Sequence, residues 1–142
     1  MSINLKQLPD GSMGIEGKDL DTGAFVVAST PVNAVTPATA IFYTAPRAMQ
    51  VQSITYSVET SGTGGACTFV VKKAPSGTAL ASGTTIHSGT GNVAGTAATN
   101  QTITVSTTTG VPALAAGDRL GIIVTGTATS AVGSVSVGMT PL

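Results

Sequence analysis

The segment Met49 to Glu59 (MQVQSITYSVE) sets the pattern for the whole chain. Met49 and Val51 alternate with Gln, and Ile54, Tyr56 and Val58 alternate with Thr and Ser. A period of two places successive side chains on opposite faces of a strand, so this stretch reads as a strand with one buried face. The phase slips by one residue at Gln52-Ser53, which predicts a β-bulge there.

The same alternation returns in Gln101 to Ser106 (QTITVS) and Ser134 to Met139 (SVSVGM). Shorter apolar runs add further strands: Phe25 to Ala28, Ala40 to Thr44 ending before Pro46, and Cys67 to Lys73. Arg119 to Thr125 (RLGIIVT) is opened by a Gly117-Asp118 turn, and Thr84 to His87 is a short strand. Between them lie turn-forming stretches: Ser61 to Gly65 (SGTGG), Ala74 to Gly77, and a Gly/Ala/Thr-rich loop from Ser88 to Thr99. The one stretch with helical character is Val111 to Ala116 (VPALAA), enough for a single turn.

About eight strands spaced 8 to 15 residues apart, with no long helix and no fixed repeat, predict an all-β fold. The expected form is a two-sheet β-sandwich or jelly roll of antiparallel strands, with a single-sheet barrel as the alternative. Residues 1 to 24 are charged, Gly-dotted and weakly periodic, so they are expected to form an extended N-terminal arm. Residues 25 to 142 then make one β-sandwich domain, a size sufficient for a core of its own.

Charge changes the picture from fold to use. Of the 142 residues only 8% are charged, against roughly 25% in an average globular protein. Six of the twelve charges (Lys6, Asp10, Glu16, Lys18, Asp19, Asp21) fall in the arm; none lies between Ala74 and Gly117 or after Arg119. A dispersed monomer normally carries mixed charge. A surface made of Thr, Ser, Asn, Gln and Gly suits a protein covered by a partner in an assembly. With zero net charge, binding to nucleic acid is not expected, because that interaction runs on Lys and Arg displacing counterions. No membrane association is expected either, since no apolar run approaches the roughly 18 residues a span requires. The opening MSINLKQLPDGS lacks the pattern of a secretory signal, which together with the initial Met suggests a complete, cytosolically made chain.

The search for chemistry finds no constellation, so no enzyme activity, cofactor or metal site is expected. His87 is the sole histidine and sits in TTIHSG with no acidic residue nearby, as a half-exposed strand residue. Cys67 is the sole cysteine, among Ala66, Thr68, Phe69 and Val70, where nothing would lower its pKa. One His and one Cys fall short of a zinc site. Asp19 and Asp21 alternate, but the ordered oxygen ligands of a calcium loop are missing. The glycines of GTGNVAG lack both the Lys and the βαβ setting of a phosphate loop. Asn100-Gln101-Thr102 matches a glycosylation sequon without a secretory signal to make it relevant.

Three segments carry a family resemblance: MSINLKQLPDGSMGIEG at the start, TAPRAMQVQSITYSVE, and LAAGDRLGIIVTGT. The chain resembles the cement, or head decoration, proteins of tailed bacteriophages, in particular the jelly-roll cement proteins of short-tailed phages. The resemblance implies a structural virion protein on the outside of an icosahedral capsid, made in the bacterial host cytoplasm. Its partners would be the major capsid protein, whose neighbouring subunits it would cement, and itself as a homodimer or homotrimer. The arm would then reach along the capsid surface. The competing function is a phage fibre, receptor-binding or carbohydrate-binding β-sandwich module.

Overall fold

The computed structural model describes residues 5–7, 13–15, 25–32 and 38–142. Twelve strands follow in order: β1 (Leu5–Gln7), β2 (Met13–Ile15), β3 (Val26–Pro31), β4 (Ala38–Thr44), β5 (Met49–Thr60) and β6 (Cys67–Ala74). After a short 3₁₀ turn at Leu80–Ser82 come β7 (Thr84–Thr85), β8 (Gly91–Asn92), β9 (Thr99–Ile103), β10 (Ala113–Leu114), β11 (Arg119–Gly126) and β12 (Val132–Pro141). Within the expected arm, β1 and β2 pair antiparallel, a hairpin too short to show in the alternation. The rest of that arm lies outside the described residues.

The domain is two antiparallel sheets face to face. One runs β10-β5-β12-β3, with β9 sharing the β10 edge of β5; the other runs β4-β11-β6-β7, with β8 sharing the β7 edge of β6. Counting β7/β8 and β9/β10 each as one interrupted strand gives eight positions starting at β3. The sheets then read 1-8-3-6 and 2-7-4-5, the double Greek key of a jelly roll. The expected all-β sandwich is therefore present, with interrupted strands raising the number above eight.

The bulge read from Gln52-Ser53 is in place: Gly138 pairs with Ser53 and Met139 with Val51, leaving Gln52 unopposed and exposed. The slip keeps Met49 and Val51, then Ile54, Tyr56 and Val58, all facing the core. Facing them from the second sheet are Phe69, Val71, Leu120, Ile122 and Val124, and the Tyr56 and Phe69 rings meet edge to face at 5.2 Å and 85°. Cys67 is fully buried in the same layer, where loss of solvent raises its thiol pKa.

Two local expectations are corrected. Val111 to Ala116 is not helical: Ala113 and Leu114 pair with Gln50 and Met49, so edge pairing and burial of Leu114 win over local preference. Among the described residues the helical turn sits instead at Leu80–Ser82, where Leu80 closes over Gly121, a position with no room for a Cβ. The loop from Ser88 to Thr99 contains β8, because Gly91 lies against the Phe69 ring and can pair with it only for want of a side chain.

The Gly117-Asp118 turn opens β11 as expected. Gly117 takes φ +86°, and the Asp118 carboxylate accepts the Ala115 N–H at 2.9 Å.

Candidate assembly interface

The two lone candidates read from the sequence, His87 and Cys67, are both buried. His87 is buried at 6% exposure, not half-exposed. Its Nε2 accepts the backbone N–H of Val71 at 2.8 Å, while Nδ1 faces the Ser88 carbonyl at 3.4 Å. Burial holds its pKa below the ordinary histidine value. The ring thus stands in for a missing strand beside β6, a role no sequence motif announces. Among the described residues, no group of three or more His, Cys, Asp or Glu could hold a metal ion. No helix of the described residues is long and apolar enough to cross a membrane.

The surface carries more information. The outer face of the sheet of β3, β12, β5 and β9 is set out in ranks by its register. One rank is Val27, Gly138 and Ser53; the next is Ser29, Ser136, Thr55 and Thr102; the third is Pro31, Ser134, Ser57 and Asn100. None of these side chains is charged, and most are short hydroxyls. A shallow groove of about 300 Å³ runs between Thr55, Ser57, Asn100, Ser134 and Ser136, with Ser57 and Asn100 hydrogen-bonded across it at 3.0 Å. At one margin Phe25, 57% exposed, folds over Gly138 beside the exposed Val27. The opposite outer face differs, carrying Ile41, Ile123 and Val70 together with Lys72.

The charges of residues 25–142 are collected elsewhere. Arg47, Lys72, Lys73, Asp118 and Arg119 cluster at the end where β4 turns into β5 and β10 into β11; Glu59 alone is near the other end. Three of the cations there hold the protein's own loops. Lys72 Nζ donates to the Ala81 carbonyl at 2.7 Å, and Lys73 Nζ to those of Gly110 (2.7 Å) and Ala113. Arg119 donates to Pro75 (3.4 Å) and Thr78. The other end is closed by uncharged loops clasped at Thr63 and Thr129, which exchange both backbone hydrogen bonds at 2.8 and 3.0 Å. Composition foretold the scarcity of charge, but the gathering of all but Glu59 at one end follows from strand order and was not legible.

No family model matches the chain, and no curated protein matches it. Among solved structures, the fold is similar to a chain of the cyanophage Pam1 capsid asymmetric unit. The identity is 17% and the TM-score 0.52, over 83% of this chain and 85% of that one. Near-equal coverage means the two chains are of about the same length. A chain of infectious bursal disease virus, Gx strain, matches at 15% identity and TM-score 0.32, over 96% of this chain and 36% of that one. The jelly-roll fold is thus one this protein shares with a capsid-associated chain of its own size.

Proposed function

We propose that the protein is a non-catalytic structural component of a phage particle, which binds the outside of an icosahedral capsid and cements neighbouring major capsid protein subunits. The observation that carries this reading is the outer face of the β3-β12-β5-β9 sheet, whose three ranks are uncharged and mostly short-side-chained, with the exposed Glu59 the one charge on these strands, at the sheet's end. Such a face brings two backbones close over a broad area and leaves no unpaired charge behind when water is expelled. A contact made once and kept gains nothing from electrostatic steering, and the face offers none. The shared fold and length with a chain of a cyanophage capsid support the capsid as the partner.

The test is to add the purified protein to phage heads that lack it and image them. The wild type is expected to decorate the shell, and a variant with Ser134→Arg and Ser136→Arg is expected not to. Bare shells with the wild type would overturn the proposal.

The hydroxyl and amide lining of the groove favours one other reading, a carbohydrate-binding module. Sugar recognition usually adds an exposed ring, yet Tyr56 and Phe69 are buried and Phe42 and Tyr43 half-buried, which leaves Phe25. Binding of any glycan at the groove, lost on Asn100→Ala, would decide for it.

A further inference from the structure

Between β7 and β8 the chain leaves the edge of β6 and crosses toward the other sheet. Thr84 and Thr85 pair with Lys73 and Lys72 before the crossing, and Gly91 and Asn92 with Phe69 and Thr68 after it. In the interval Ile86 still donates its N–H to the Val71 carbonyl at 3.2 Å, but His87 bridges to Val105, just past β9. Two backbone bonds flank that bridge: Ser88 N–H to Thr104 at 3.0 Å and Ser106 N–H to Ile86 at 2.9 Å. The His87 ring reaches back the other way, to the Val71 N–H at 2.8 Å. Backbone on one side and imidazole on the other, one residue staples the two sheets along this flank.

The parts of the staple are held unequally. Ile86 is fully buried. Residues 88–90 and Thr104 are exposed, and Val105 is half-buried. Gly89 takes φ +76° with open space around it. The segment from His87 to Thr90 can therefore move with little loss of apolar contact, which marks a unit that opens before the core does. The one deeply buried group it would withdraw is the imidazole.

Nothing near that imidazole would hold a proton on it. β6 brings Lys72 and Lys73, cations already tied to the carbonyls of Ala81 and of Gly110 and Ala113. β7, residues 88–90 and residues 104–106 carry no titratable side chain. The acids of residues 25–142 are Glu59, at the far end of β5, and Asp118, in the turn before β11. A proton on Nε2 would set one N–H donor against another, that of Val71, and leave a buried charge without a counter-ion.

We infer that His87 is a proton-operated latch: in mild acid its ring withdraws from β6 into water, the bridge to Val105 opens with it, and Gly89 takes up the backbone change, while Ile86 and both sheets stay in place. Burial, which holds the ring's pKa below the ordinary value, acts in the same direction. The closed latch is complete above about 6.5 and is lost as pH falls toward the lower folded value. The inference stands apart from the capsid reading, since it concerns the free protein.

Residue-by-residue amide exchange of the full chain, from neutral to mildly acidic pH and corrected for the intrinsic rate, tests it. The amides of Val71, Ser88 and Ser106 are expected to share one protection factor, well below that of β5 and β12. Below pH about 6.5 they should lose it together, by about tenfold per pH unit. The Ile86 amide should stay as protected as β5 and β12 at each pH. Those of Thr63 and Thr129, at the opposite end, should hold level, because they can open without releasing His87. In His87→Gln, whose side-chain oxygen accepts at every pH, the fall should vanish; the wild-type readings stand whether or not this variant folds. Seam amides as protected as β5 and β12 would mean that the flank opens only when the whole domain does, and would overturn the inference. So would protection that is flat with pH, a loss confined to Val71, or a fall that persists in His87→Gln.

Discussion

The imidazole of His87 accepts a hydrogen bond from the backbone of Val71, sixteen residues earlier in sequence, and so fills a gap in the β6 ladder with a side chain. The bond requires Nε2 to be unprotonated.

That requirement fixes a pH dependence. Burial lowers the His87 pKa in the folded state, so the unfolded chain binds the proton at higher pH. The contribution of His87 is complete above about 6.5, the value in an unfolded chain, and is lost as pH falls toward the lower folded value. Thermal melts from neutral to mildly acidic pH should show a falling midpoint that is absent in His87→Gln. His87→Phe should lower stability at every pH by about 1–3 kcal/mol, because it leaves the buried Val71 N–H without an acceptor.

Gly91→Ala should destabilise the fold, since a Cβ there meets the Phe69 ring at three of its atoms. That ring is buried and braced edge to face by Tyr56, so it cannot swing away freely. The cost expected from overpacking is about 1–3 kcal/mol, read by denaturant unfolding. Pairing the change with Phe69→Leu should recover part of it.

Tyr56 donates from its hydroxyl to Gln101 Oε1 at 2.6 Å, joining β5 to β9 beneath the outer groove. Tyr56→Phe should cost about 1 kcal/mol in unfolding while leaving the sheet register intact. Equal stability of wild type and variant would show that the bond has no net worth.

Attachment to the proposed partner should be nearly indifferent to salt. The Debye length is about 10 Å at 0.1 M, so raised ionic strength weakens exposed charge pairs first. Here Lys72, Lys73 and Arg119 are tied to the protein's own carbonyls. Occupancy of phage heads measured from low to high salt should stay level; a steep decline would point to a charged contact.

The longer strands were legible because each buries one face. In β5, β9 and β12 a period of two is written directly into the residues, and even the bulge at Gln52 shows as a lost beat. The two-residue strands β8 and β10 were not legible, since they are too short to carry a period and exist through their neighbours' edges, whereas β7 falls within the short strand expected from Thr84 to His87. The His87 bond was hidden for a similar reason: its partner is a backbone group brought near by topology. The outer face was half legible. Alternating Ser and Thr in β5 and β12 marked solvent-side positions, but only the register lines Ser29, Ser136, Thr55 and Thr102 into one rank.

Cys67 sits where β6 meets β11, opposite Gly126, and has no accessible surface. The native chain should therefore be silent toward thiol-specific dyes, and any cysteine introduced on its surface becomes a unique point of attachment. The same silence makes the natural thiol an alarm. If Cys67 begins to react in the intact protein, the rate measures how often the two sheets part.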